Sequence, residues 1–157
     1  MARMRACAII PAAGQGRRFG SPKQFLMLEG KPLFLYALEV FEASPLIEGI
    51  SLVVPEGEEA FVQEVVNRST RTKVKKILAG GRERQDSVKN GFHSLPACDV
   101  VVVHDGVRPF LKPETVDLVV KTAYEWGSCI LGLPVKETTK EITPDGFVGR
   151  TVDRSSL

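Results

Sequence analysis

Val100 to Val103 are four consecutive valines, set between Asp99 and His104-Asp105-Gly106. A continuous β-branched run offers no polar face to water, so it predicts a strand covered on both faces of a parallel sheet. The run belongs to a predicted strand over 100–104, and further apolar runs of strand length lie at 6–10, 49–54, 74–78 and 128–133. Helix-length amphipathic segments alternate with them at about 32–43, 56–67, 84–94 and 113–126. Pro32 and Pro113 stand where a first helical turn tolerates proline. This alternation predicts an α/β fold: a Rossmann-like open, mostly parallel sheet flanked by helices. With 157 residues there is room for one domain with a real core.

Open sheets of this kind bind ligands beyond the carboxyl ends of their strands. The loops there are 11–23, 79–87 and 105–112, and they carry the least ordinary residues of the chain. The first runs Pro11-Ala-Ala-Gly-Gln-Gly-Arg-Arg-Phe-Gly-Ser-Pro-Lys23. The small residues Ala12, Ala13, Gly14 and Gly16 let the backbone come close to a ligand, and glycine permits dihedrals that turn N–H groups toward an anion. Arg17, Arg18 and Lys23 add charge-assisted contacts suited to phosphate oxygens. Spacing excludes a Walker A loop, because no Gly-Lys-Ser/Thr triplet occurs. The dinucleotide fingerprint fails at its third glycine, where Phe19 stands and Gly20 comes one residue late. A glycine-rich turn with solvated arginines is the plain alternative.

The second loop, Ala79-Gly80-Gly81-Arg82-Glu83-Arg84-Gln85-Asp86-Ser87, follows a strand and opens a helix. Gly80 and Gly81 allow backbone to lie against a flat ring, with the Ser87 hydroxyl nearby. The same residues also suit a simple helix start with Asp86 at the positive end of the dipole. In the third loop, Asp105 at a strand end with Arg108 three residues on suits either a Mg²⁺ ligand beside a phosphate clamp or an ion pair that orders the loop. His104 reads as a packed strand-end residue able to hold the loop through a backbone hydrogen bond, rather than as a general base.

Beyond Pro134, residues 138–142 and 147–152 alternate around Thr143-Pro-Asp-Gly146, which predicts a hairpin arm over 136–157 attached to a nucleotide-binding body over 1–135. A two-stranded arm is marginal alone, so it is expected to pack on a second subunit. The cations of 71–76 read as a solvated approach to a strand. A net charge of +2 argues against a nucleic-acid or membrane surface. No apolar run reaches the ~18 residues needed to span a bilayer. Cys7, Cys98 and Cys129, odd in number and without CxxC spacing, read as reduced thiols of a cytoplasmic protein, with Cys7 and Cys129 packed in strands.

Pro11-Ala-Ala-Gly-Gln-Gly-Arg-Arg18 with Pro22-Lys23-Gln24, then Gly80-Gly81-Arg-Glu-Arg84-x-x-Ser87, His104-Asp105-Gly-Val-Arg108-Pro109, Pro134-Val-Lys-Glu-Thr138 and Thr151-Val-Asp153-Arg154 occur in that order. The set resembles the 2-C-methyl-D-erythritol 4-phosphate cytidylyltransferases of nonmevalonate isoprenoid synthesis, across essentially the whole chain. The resemblance implies transfer of CMP from CTP to methylerythritol phosphate, with release of pyrophosphate and Mg²⁺ as cofactor. It implies that Arg18 and Lys23 stabilise charge on the phosphates and that the backbone of Ala12, Ala13, Gly14 and Gly16 cradles the nucleotide. Gly80, Gly81 and Ser87 would form the cytosine pocket, and Asp105 would bind Mg²⁺. Arg108, Thr138 and Arg154 would bind methylerythritol phosphate, with the last two carried across a homodimer by the arm and Arg154 also counted as catalytic.

The third loop departs slightly, with Gly106-Val107 where the family often has two alanines. The family's sequences continue beyond Leu157 into a segment with a second phosphate-binding lysine. The resemblance therefore implies CTP binding kept in part, weak or absent turnover, and exposed apolar surface. Ribitol-5-phosphate cytidylyltransferases share the first three motifs and are the alternative enzyme. A nucleotide-binding fragment without turnover is the alternative of a different class.

Overall fold

The computed structural model describes residues 4–16, 19–69 and 72–157. In chain order the elements are strand β1 (Ala6–Pro11), the short strands β2 (Met27–Leu28) and β3 (Lys31–Pro32), helix α1 (Leu33–Ala43), β4 (Ile47–Val54), α2 (Glu59–Asn67), β5 (Val74–Ala79), α3 (Arg84–Ser94), β6 (Val100–Val103), α4 (Pro113–Trp126), and the strands β7 (Lys140–Ile142) and β8 (Val148–Thr151). The main sheet is parallel throughout, in the order β5-β4-β1-β6. The chain moves outward from β1 to β4 and β5, then returns to the other side of β1 as β6. The order therefore reverses between β1 and β6, and that reversal opens a crevice beyond their carboxyl ends.

Alternation along β1 divides the core between two faces. Ala6, Ala8 and Ile10 share a buried cluster with Phe34, Leu38 and Phe41 of α1, Val62 and Val66 of α2, and Val116 and Val120 of α4. The opposite face carries Ile9 and Val53 and meets α3 at Gly91, where a Cβ would stand 2.5 Å from Ile9 Cγ2 and 3.2 Å from Val53 Cγ2. A residue without a side chain is what lets α3 sit this close to the sheet. Ser51 and Ser94 satisfy each other across the same interface at 2.7 Å.

The predicted helices are all present, with Pro113 at the first position of α4. The second begins at Glu59 instead of residue 56, because Gly57 adopts φ +88° in a turn in which Glu58 N–H donates to the Pro55 carbonyl at 3.1 Å. The hairpin β2–β3 was not legible in the apolar pattern. Its tight turn places Glu29 at φ 48° and Gly30 at φ 77°, both in the left-handed region that two-residue hairpins require.

Three strand expectations need correction. Residues 128–133 form no strand; Ile130 and Leu133 are 93% and 91% exposed. An apolar run becomes a strand only when a neighbour meets its N–H and C=O groups, and among the described residues β6 pairs with β1 alone. Cys129 consequently is not packed in a strand, whereas Cys7 is buried in β1. Nor is the valine run covered on both faces: β6 is an edge strand, and Val103 is 40% exposed. Burial pushes the Cys7 thiol up to about 12, aided by a hydrogen bond with Cys98, so it stays protonated. The arm forms as expected, β7 antiparallel to β8, with Gly146 at φ +87° and Gly146 N–H donating to the Thr143 carbonyl at 2.9 Å. Every residue of its two strands is exposed.

Candidate functional site

Backbone hydrogen bonds carry the register of the sheet past its carboxyl ends. Ala12 N–H donates to the Val53 carbonyl at 2.7 Å, Gly80 N–H to Val54 at 2.8 Å, and Gly106 N–H to Pro11 at 3.0 Å. The three loops thus leave the sheet side by side. Between them lies a cleft of about 570 Å³, the scale of a small-molecule site. Its walls include Ala12, Ala13, Gly14, Gly16 and Lys23 from the first loop, Gly81 and Ser87 from the second, and Asp105 from the third.

Glycine serves two purposes here. A Cβ on Gly80 would lie 2.3 Å from Ala13 Cβ and 2.9 Å from Ser87 Oγ, so this glycine lies beneath the wall and lets the first and second loops touch. Gly106 does the same for the third loop, with a Cβ 2.9 Å from Ala12 Cβ. At Gly14, by contrast, a Cβ would meet no atom within 4 Å. The space that residue leaves belongs to the cleft. Gly16 has φ +64° and accepts from the N–H groups of Phe19 and Gly20 at 2.7 and 2.8 Å, which tightens the loop.

Ser87 is buried, and its hydroxyl accepts from Gly81 N–H at 3.1 Å, holding the glycine pair in place. α3 opens with a reciprocal cap: Glu83 accepts from the Asp86 backbone, and Asp86 accepts from Glu83 N–H at 2.9 Å. Lys23 sits on a 3₁₀ turn over Lys23–Phe25, with Nζ 5.0 Å from the centre of the Phe19 ring. His104 Nε2 lies 3.0 Å from the Arg108 carbonyl; a carbonyl only accepts, so Nε2 carries the proton and the ring braces the third loop.

Asp105 is the electrostatic centre of the cleft. Oδ1 accepts from Arg84 Nε at 3.0 Å and Nη2 at 2.7 Å, and Oδ2 accepts from Arg108 Nε at 3.0 Å. Burial pushes this carboxyl up, but the hydrogen bond and charge of Arg84, then those of Arg108, outweigh it and hold it below its ordinary range. Mg²⁺ takes one or two carboxylates together with substrate phosphates and waters. Asp105 fits that pattern as a single carboxylate at the cleft, with one lone-pair direction on Oδ2 left by the protein bonds. Among the described residues no cluster of three or more His, Cys, Asp or Glu side chains could hold a metal without a substrate.

Arg108 reaches Asp105 but does not line the cleft. Thr138 and Arg154 stand on the arm, outside the cleft, where Arg154 Nη1 donates to the Lys136 carbonyl at 2.6 Å. Arg18 lies outside the described residues. Gln24 and Arg84 stand in the motifs quoted above, but the residue pattern assigned neither of them a role. Gln24 stands between Lys23 and Phe25 with no periodicity to mark it. Arg84 did leave a signal: a cation in the first turn of a helix opposes the helix dipole.

A parallel α/β sheet with a nucleotide-sized cleft at its reversal point, floored by small residues and edged by Lys23, Arg84 and Asp105, has the architecture of a nucleotidyltransferase. The family model for 2-C-methyl-D-erythritol 4-phosphate cytidylyltransferase (IspD) matches residues 6–157, and the chain belongs to that family. The enzyme of that name from Clostridium acetobutylicum is 42% identical over 154 residues, covering 96% of this chain and 67% of the relative. The one from Alkaliphilus metalliredigens is 43% identical over 157 residues, covering 98% and 65%. The crystal structure of 4-diphosphocytidyl-2C-methyl-D-erythritol synthase from Anaerococcus prevotii superposes with a TM-score of 0.84 at 25% identity, covering 98% of this chain and 66% of that one. The chain thus spans about two thirds of the length of these relatives. No helix among the described residues is long and apolar enough to cross a membrane.

Proposed function

We propose that the cleft binds CTP and that the chain transfers CMP to 2-C-methyl-D-erythritol 4-phosphate. A non-bridging oxygen of the acceptor's phosphate attacks the α-phosphorus, the bond from that phosphorus to the bridging oxygen breaks, and pyrophosphate leaves with the electron pair. The observation that carries this reading is the convergence of the three motif loops on one cleft within a chain of this family. A phosphate oxygen is already a nucleophile, so no general base is required. Rate comes from positioning and from charge neutralisation.

In this reading the backbone of Ala12 to Gly16 cradles the phosphates, with Lys23 and Arg18 beside them. Gly81 and Ser87 hold the cytosine, with Gly80 beneath them. Asp105 would hold Mg²⁺, which when bound screens the negative charge of the phosphates. Arg108, Thr138 and Arg154 receive the acceptor phosphate, the last two from the arm of a second subunit. Full exposure of β7 and β8 supports an arm that packs on another copy.

The test is a calorimetric CTP titration beside a pyrophosphate-release assay with Mg²⁺ and each of two acceptors. Release with methylerythritol phosphate, slow as the resemblance implies, and not with ribitol 5-phosphate is expected. Release with ribitol 5-phosphate would reassign the acceptor. Binding without release from either would leave a nucleotide-binding protein and remove the transferase reading.

A further inference from the structure

Arg84 occupies the first position of α3, where the helix dipole favours anions. Glu83 and Asp86 already cap this helix, so the arginine adds nothing that the helix start needs. Its side chain is 62% exposed and stands on the cleft wall. Both of its bonds go to one atom, Asp105 Oδ1, at 3.0 and 2.7 Å. A carboxylate oxygen offers two lone-pair directions, so Arg84 saturates Oδ1 while Arg108 takes only one direction on Oδ2. Arg108 comes from Asp105's own loop, three residues away, and serves as a local tie. Arg84 comes from a different loop, takes both directions of Oδ1, and sets its positive charge against any cation that comes to the direction left on Oδ2.

We propose that Arg84 is a phosphate-binding residue held in reserve on Asp105. When a nucleoside triphosphate arrives with its divalent cation, the guanidinium leaves Asp105 to the cation and turns its fork to a phosphate oxygen. The exchange leaves no charge unpaired. Asp105 trades a guanidinium for a metal ion, and Arg84 trades a carboxylate for a phosphate, a geometry its planar fork also matches. The inference rests on the nucleotide-binding reading above and adds a residue and an order of events to it.

The experiment titrates the parent chain and Arg84→Met with CTP by calorimetry across a Mg²⁺ series, with an EDTA control. Methionine keeps the length of the stem and removes the fork. Two effects of opposite sign are expected. At saturating Mg²⁺ the Kd for CTP should rise about tenfold, the loss of one charge-assisted contact. The Mg²⁺ concentration for half of the metal-dependent gain should fall, because the competitor for the Asp105 carboxylate is gone. If Arg84 only ties two loops together, the melting temperature falls while the Mg²⁺ half-saturation stays put, and the proposal is overturned. An unchanged CTP Kd overturns it equally. Should Arg84→Met fail to fold, Arg84→Lys decides: its single-pointed charge should lower the Mg²⁺ half-saturation with a smaller loss of CTP affinity, and an unchanged half-saturation sinks the idea. A parent that binds no CTP removes the nucleotide-binding reading and this inference together, whereas a parent that binds beside an indifferent variant removes this inference alone.

Discussion

The side-chain amide of Gln24 donates from Nε2 to the carbonyl of Gly14 at 3.1 Å, from a position only 1% exposed. Gly14 belongs to the cleft floor, and Gln24 shares its 3₁₀ turn with Lys23. One part-buried hydrogen bond therefore ties the floor to the turn that carries the lysine. Gln24→Leu keeps the bulk and loses the donor. It should cost about 1 kcal/mol of stability and weaken CTP binding beyond what that loss explains, read from thermal melts beside CTP titrations. An equal, small loss in both would make Gln24 a packing residue only.

Lys23 is exposed and makes one ring contact, with Phe19, so its removal should leave the fold intact. Lys23→Ala should lower pyrophosphate release on the order of a hundredfold, about 3 kcal/mol in the transition state. Near-normal release from a variant with an unchanged melting temperature would take Lys23 out of the mechanism.

Asp105 links folding to pH. Its carboxyl in the folded state titrates below the ordinary value of 3.8, because the attraction of Arg84 and Arg108 exceeds the upward push of burial. The unfolded chain binds this proton more readily than the folded one. The stabilisation is therefore complete above the ordinary value and is lost as pH falls through the lower, folded one. The melting-temperature gap between parent and Asp105→Asn should be widest at neutral pH and narrow below 3.8. A gap that stays constant into acid would show that the two arginines do not set the titration.

Gly80 and Gly91 separate site geometry from stability. A methyl on Gly91 would press on Ile9, which is fully buried and cannot give way; Gly91→Ala should cost about 1–3 kcal/mol despite alanine's better helix propensity. It should leave CTP affinity in the folded fraction unchanged. Gly80→Ala pushes apart Ala13 and Ser87, the contact between two cleft loops. It should lose affinity as well as stability. The pairing is refuted if both variants bind CTP alike.

Amphipathic spacing made the four helices legible, unbroken apolar runs the parallel sheet, and the Thr143-Pro-Asp-Gly146 turn between alternating segments the hairpin arm. The loops were legible for the same kind of reason. Glycine pairs and clustered cations after a strand are expensive in plain structure, so their presence marks positions where backbone must come close to something. The run at 128–133 was misread because apolarity describes what a segment avoids, not which neighbour meets its hydrogen bonds.

By itself the sequence determined the class of fold, the three loops and the family motifs they carry. These depend on residues near one another in the chain. Only the tertiary structure decided that Arg84, 21 positions before Asp105, saturates one of its oxygens, and that Gln24 holds the floor of the cleft at Gly14. It also decided that, among the described residues, the valine run pairs with β1 alone. A hydrogen bond between side chains or loops far apart in sequence leaves no periodic trace, because nothing local requires it; it exists only once the sheet has brought the ends of β5, β4, β1 and β6 into one row.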